Sequence, residues 1–175
     1  MPENFLALQR FDSPLGQIVM AARNDHICRI DFATLSYQPF DTEALERKGL
    51  RIVEQETEVL AEAQRQLEKY FGGKRFEFDL PLAPEGTTFQ QQAWQALREI
   101  PYGETHSYQQ QAERLGDARF ARAVGHANGR NPISIIVPCH RVLGKNGKLT
   151  GFASGVDKKA KLLELETRYR PFTLE

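Results

Sequence analysis

The sequence predicts two domains: an α/β domain over residues 1–80 and a mainly helical domain over 88–175, joined by a linker at 81–87. Three observations predict this division. Strand-like runs and one long amphipathic helix occupy the first half, whereas capped short helices dominate the second. With two prolines and a glycine in seven residues, Leu80-Pro81-Leu82-Ala83-Pro84-Glu85-Gly86 suits neither helix nor strand. The charge balance changes at the same place. Residues 1–85 carry 10 Lys/Arg and 15 Asp/Glu, a net of −5; the remaining 13 and 8 make residues 86–175 net +5.

Ile18-Val19-Met20-Ala21 and Ile27 to Phe32 read as strands of a hairpin turning at Asn24-Asp25. Residues 33–50, with Pro39 and Gly49, read as irregular. From Val53 to Phe71 apolar residues recur at helical spacing, and Gly72-Gly73 stops that helix. Phe76, Phe78 and Leu80 alternate with polar residues as a short strand. In the second half, Thr88-x-x-Gln91 is a capping-box pattern ahead of a helix carrying Trp94, a core residue. Ser107-x-x-Gln110 opens another helix, which Gly116 ends, and Asp117 caps a third from about Ala118 to Asn128. Two short helices around a glycine turn have the build of a helix-turn-helix. Asn131-Pro132 leads into Ile133-Ser134-Ile135-Ile136-Val137, an expected buried strand, and Lys145-Asn146-Gly147 into a hairpin turn. Asp157 is placed to cap a last helix through Glu166.

Composition bounds the function. The chain has 175 residues, 41% hydrophobic and 26% charged, with zero formal net charge, as in ordinary globular proteins. Two cysteines, Cys28 and Cys139, are too few for a disulfide framework. The N-terminus lacks a signal-peptide pattern, and no run approaches the about 18 apolar residues of a membrane span. A reducing, cytoplasmic setting without membrane attachment is therefore expected. The acidic first half and basic second half fit a nucleic-acid-facing module and chance composition equally well.

Two segments carry candidate chemistry. Arg119, Arg122, His126 and Arg130, spaced 3, 4 and 4 apart, form one cationic stripe on the third helix. Phe120, Val124 and Ala127 fall opposite, and Ala118, Ala121, Ala123 and Gly125 keep the flanks thin. Such a helix can lie along a DNA backbone or in a groove, although an ordinary amphipathic surface helix has the same stripe. The second segment is Pro138-Cys139-His140-Arg141. A free thiol with a pKa of about 8.5 is only a few per cent thiolate at neutral pH. A histidine oriented by a carboxylate raises that fraction by taking the proton, here through a water if the two side chains diverge. On Cys139 and His140 alone, a structural cysteine remains the favoured reading.

The run from Asn131 to Val142, with Ser107-Tyr108-Gln109-Gln110, Ala121-Arg122-Ala123-Val124-Gly125 and Gly144 to Glu166, matches an ordered set of motifs. Residues 87–166 thereby resemble the O6-alkylguanine-DNA alkyltransferases. The resemblance implies a ribonuclease-H-like N-terminal sheet and a winged-helix-like C-terminal domain. It implies that Cys139 accepts the alkyl group, that His140 is its base through a water, and that Glu166 orients His140. Asn131 would hold the turn between recognition helix and active-site segment. Arg122 would fill the gap left by a flipped nucleotide, and Tyr108 would crowd the adjacent phosphate and reach the flipped base. Arg119, Ala121, Gly125 and Arg130 would complete the DNA contact, entering the minor groove. Asn128, Ser134, Val142, Phe152, Ala153 and Ser154 would line the substrate pocket. The substrate would be double-stranded DNA containing O6-methylguanine, with O4-methylthymine as a second lesion. Each molecule, a monomer without cofactor, metal or obligatory protein partner, would react once. Many relatives have Tyr-Ser-Gly-Gly where this chain has Phe152-Ala153-Ser154-Gly155, which removes hydroxyls from that loop. For a zinc site, His26 and Cys28 are too few ligands. Two other readings are a lesion-binding module without transfer, whose known kind lacks the cysteine, and a cysteine hydrolase using Cys139 and His140.

Overall fold

The computed structural model of the chain describes residues 4–171; residues 1–3 and 172–175, the outer ends of the two expected domains, lie outside the described residues. The chain forms two compact units that meet between Glu85 and Gly86. No described helix is long and apolar enough to cross a membrane.

The first unit is a mixed four-stranded sheet under one long helix. Strands β1 (Phe5–Ser13), β2 (Gly16–Arg23) and β3 (His26–Phe32) form an antiparallel meander. Strand β4 (Arg51–Glu54) pairs parallel with β1, so the order is β3-β2-β1-β4. The β2–β3 hairpin turns on Asn24 and Asp25, both left-handed at φ 52° and 61°, the conformation that matches the strand twist. Helix α1 (Thr42–Arg47), capped by Asp41, precedes β4, inside the stretch that reads as irregular. Helix α2 (Glu58–Phe71) packs on the first three strands. Its Leu60, Ala63, Leu67 and Tyr70 are fully buried, as are Ile18, Met20, Ile30 and Phe32 on the sheet. Each such aliphatic side chain contributes about 1.5–3 kcal/mol by leaving water.

Two expectations fail here. The helix begins at Glu58, not Val53: Val53 lies in β4 opposite Ala7, and extended Thr57 caps α2 by accepting from Leu60 N. The run from Phe76 to Leu80 forms no strand. Instead the buried Gln66 amide brackets Asp79, accepting from its N–H and donating to its carbonyl, both at 3.0 Å. Beyond it, Ile27 N–H donates to Pro81 O and Ala83 N–H to Ile27 O, so the expected linker begins as part of the first unit.

The second unit opens with α3 (Thr88–Arg98), whose capping box is Thr87 with Gln90, one residue earlier than the sequence suggests. Trp94 buries its ring and donates from Nε1 to Ala127 O at 2.9 Å. Gly86 lies against that ring: a Cβ there would sit 2.4 Å from the Trp94 ring edge. The indole is tethered and cannot yield cheaply, so Gly86→Ala is expected to destabilise the protein by about 1–3 kcal/mol. A circular-dichroism denaturant titration checks this; an unchanged midpoint would contradict it.

The short strand β5 (His106–Ser107) pairs parallel with β6 (Val142–Leu143). Helix α4 (Tyr108–Arg114) has the expected Ser107–Gln110 capping box. A turn at 115–117 leads to a 3-10 turn (Ala118–Phe120) and then α5 (Ala121–Gly129), so the expected single third helix is divided. Lys145–Gly147 is also a 3-10 turn, closed by Gly144 N–H donating to Lys148 O, with no strand after it. Helix α6 (Val156–Arg168) holds Asp157 in its first turn, and its N-cap position is Gly155, so Asp157 is not the cap.

Candidate active site

Residues 131–138 position Cys139, and they do so as a turn, not as the expected strand. The apolar side chains of Ile133, Ile135, Ile136 and Val137 are buried as a strand's would be. The backbone, however, finds its partners locally. Asn131 Nδ2 donates to Val137 O at 2.8 Å and Oδ1 accepts from Ile133 N at 3.0 Å. Val137 N–H donates to Ile133 O and Ile136 N–H to Ser134 O. An asparagine side chain that supplies such bonds competes with ladder formation. The turn forces Ile135 to φ +75°, a strained conformation for a β-branched residue that persists only where surrounding structure holds it.

Cys139 begins a 3-10 turn, Cys139–Arg141, in which all three residues are buried. His140 Nε2 lies 2.6 Å from Glu166 Oε2. Arg141 forks onto the same carboxylate, Nε to Oε1 at 2.8 Å and Nη2 to Oε2 at 3.1 Å, and its Nη1 donates to Ile100 O at 2.7 Å. Gly103 N–H donates to Glu166 Oε1 at 3.1 Å. The guanidinium also lies 5.7 Å from the Tyr102 ring centre, and burial together with Glu166 pushes the Tyr102 hydroxyl up to about 12.

Protonation follows from this arrangement. Burial opposes the charge on Glu166, but His140 and Arg141 outweigh it and hold the carboxyl well below the usual range. Burial pushes His140 down, against the pull of Glu166. Arg141 already balances the carboxylate, so we assign His140 as neutral. Glu166 then selects the tautomer with the proton on Nε2. Nδ1, buried and without a hydrogen-bond partner among the described residues, is left as a base.

The remaining site residues divide by exposure. Arg122, His126 and Arg130 are exposed along α5, while Val124, Ala127 and Asn128 face inward. Arg119 precedes α5, exposed and forked onto Asp117. Phe120, expected on the inward side, is instead 43% exposed, edge-on to Phe89, because it lies in the 3-10 turn. Ala121 and Gly125 are half-buried, and the Tyr108 ring lies 3.6 Å from where a Gly125 Cβ would be. Tyr108 donates its hydroxyl to Thr150 O at 3.3 Å. Ser134, Val142, Phe152 and Ser154 are buried and Ala153 is exposed. Asn128 is committed elsewhere: its amide pairs reciprocally with Gln111, at 3.0 and 2.8 Å, joining α4 to α5. The sequence pattern alone does not reveal Arg141, Gly103 and Gln111 as members of the site. For Arg141 a signal was present, a cation directly after the histidine.

The helical unit thus presents an exposed cationic helix and a buried thiol directly before a buried imidazole in the chain, the build expected of a nucleic-acid-binding protein with a thiol centre. Two family models cover the chain: "6-O-methylguanine DNA methyltransferase, ribonuclease-like domain" over 8–84 and the DNA binding domain of the same name over 88–168. A methylated-DNA–protein-cysteine methyltransferase of Methanosarcina acetivorans is 48% identical over 162 residues, 89% of this chain and 95% of that protein. The constitutive Bacillus subtilis enzyme of that name is 44% identical, over 89% and 92%. The crystal structure of the Mycobacterium tuberculosis O6-methylguanine methyltransferase superposes with a TM-score of 0.81 at 42% identity, covering 95% of each chain. A structure of the mycobacterial protein in complex with DNA gives 0.80 at 41%, covering 94% and 95%. The chain belongs to the 6-O-methylguanine DNA methyltransferase family. Its activity is DNA repair by direct alkyl transfer, and DNA is its partner.

Proposed function

We propose that the protein takes the alkyl group from O6-alkylguanine in duplex DNA onto Cys139 Sγ, once per molecule. The observation that carries this reading is the buried His140–Glu166–Arg141 cluster directly following Cys139. The thiol proton passes through a water to His140 Nδ1, and Glu166 holds the imidazole in the accepting tautomer. The thiolate attacks the alkyl carbon in line. The S–C bond forms as the C–O6 bond breaks, and the electron pair leaves with the base, which regains a proton to become guanine. The thioether product does not hydrolyse readily, so the protein is consumed.

Guanine in the stack cannot meet a buried sulfur in line, so the nucleotide flips out, at a cost of a few kcal/mol that is smaller for a weakened pair. Arg122 from α5 stacks in the gap and offsets part of that cost. Arg119 and Arg130 contact phosphates, and the small residues Ala121 and Gly125 let α5 approach the minor groove. Tyr108 crowds the flipped nucleotide, and Val142, Ser134 and the Phe152–Ala153–Ser154 loop bound its pocket. O4-methylthymine presents the same alkyl–oxygen bond and is a second substrate. The protein acts as a cytoplasmic monomer.

The test is intact mass after incubation with an oligonucleotide carrying O6-methylguanine. One methyl per protein is expected, located at Cys139 by peptide mapping and abolished by Cys139→Ser. Transfer that survives Cys139→Ser sinks the assignment. Lesion binding with no mass gain favours a binding module instead.

A further inference from the structure

The three arginines of the cationic stripe differ in one respect. Arg122 on α5 and Arg130 directly after it are exposed, and among the described residues neither pairs with a carboxylate. Arg119 is just as open to solvent, its side chain 89% exposed, yet it is occupied. Its Nε donates to Asp117 Oδ1 at 3.1 Å and Oδ2 at 2.9 Å, and its Nη2 donates to Oδ2 at 2.7 Å. Asp117 is fixed in place to receive it. Oδ1 also accepts from Arg119 N–H at 2.8 Å, as the cap of the 3-10 turn, and the Asp117 N–H donates to Ala112 O of α4 at 3.2 Å.

A guanidinium forks onto a carboxylate and onto a phosphate with the same planar set of N–H groups. The two acceptors therefore exclude one another at Arg119 Nε and Nη2. The fork and the cap bond hold the Asp117 carboxyl below the ordinary carboxylate range, so the competing anion is present at neutral pH. An exposed ion pair of this kind is weak. A phosphate displaces it, but only against the lost pair and against repulsion from the carboxylate left beside it.

We propose that Asp117 is an intramolecular competitor for the DNA phosphate that Arg119 binds, and that it limits how firmly the recognition surface holds a duplex. This rests on the reading that Arg119 contacts a phosphate. Arg122 has no such competitor and keeps its cation free for the gap in the stack. Phosphate contacts carry no sequence or lesion information, so weakening one shortens the stay on the undamaged sites that make up nearly all DNA.

The experiment measures binding of the full chain to a fluorescein-labelled undamaged duplex by anisotropy. It is done at about 0.15 M salt, where charges more than about 8 Å apart are screened. Parent, Asp117→Asn, Arg119→Ala and the double variant form a cycle. Asparagine keeps the capping oxygen and removes the charge, and Asp117→Ser, a second uncharged cap, repeats the measurement. Asp117→Asn is expected to tighten binding about fivefold. With Arg119→Ala in place, the same substitution is expected to change it by under about twofold. No gain from Asp117→Asn overturns the proposal. An equal gain in both backgrounds also overturns it, because Asp117 then acts on DNA without Arg119. Arg119→Ala without effect, whichever residue stands at 117, instead removes Arg119 from the DNA contact, and the competition falls with it.

Discussion

Glu166→Gln is expected to lower the stability of the protein by about 3–5 kcal/mol, because it leaves the buried Arg141 guanidinium without its counter-ion. Glutamine keeps the shape and one acceptor oxygen, so the loss reports charge and not packing. Alkyl transfer should fall as well, since His140 loses the carboxylate that selects its tautomer. Urea unfolding, followed by single-turnover kinetics on the folded fraction, measures both effects. A stability change under about 1 kcal/mol would mean the fork is not needed, as for exposed pairs. The same cluster sets a pH dependence. The folded Glu166 carboxyl is depressed, so its contribution is complete above the unfolded value of about 4.3 and is lost as pH falls through the folded range. His140 is depressed too. Below its unfolded value of about 6.5 the unfolded chain takes up a proton that the folded chain refuses. Both effects lower the urea midpoint on acidification, beginning near pH 6.5 and steepening below about 4.3.

Asn131→Ala should be nearly as damaging and for a different reason. It strands Val137 O and Ile133 N–H inside a buried turn, at a cost of about 1–3 kcal/mol for each unpaired group. Ile135 then relaxes from its left-handed backbone, and Cys139, four residues on, moves with it. Misplacement of a reacting atom by about 1 Å lowers a rate about 10²-fold. The expected result is a transfer rate lower by about that factor, with DNA affinity retained because α5 keeps its exposed face. A gel-shift assay beside single-turnover transfer separates the two. Equal loss of binding and transfer would place Asn131 in the fold of the whole unit instead.

Much of the first unit was legible because its signals are local. Asn24-Asp25 between apolar runs encodes its own turn, and α2 shows its period in its apolar residues. Strand β1 was not legible, nor was β4. Their pairing is parallel and joins residues about as far apart as Phe5 and Arg51, and Val53 happens to extend the helical rhythm of α2 backward. The capping box slipped by one because Thr87-Thr88 and Gln90-Gln91 offer two phases. Around the site, the motif containing Cys139 and His140 was visible, but the apolar run before it was read as strand. Burial was read correctly from that run and conformation was not, because a single amide, Asn131, supplies the bonds that a neighbouring strand would have supplied. Arg141 acts on a partner that only the folded chain brings close, Glu166, 25 residues away. Asn128 reads as pocket lining until Gln111, 17 residues earlier, is found to occupy its amide.

The bond from Trp94 to Ala127 has an optical consequence. The chain has one tryptophan, and its indole N–H is fastened to the carboxyl-terminal turn of the helix that carries Arg122. Indole emission depends on that hydrogen bond and on the polarity around the ring. The protein therefore contains an unlabelled fluorophore wired to α5, and a tilt or loosening of that helix changes the colour or yield of its emission in real time.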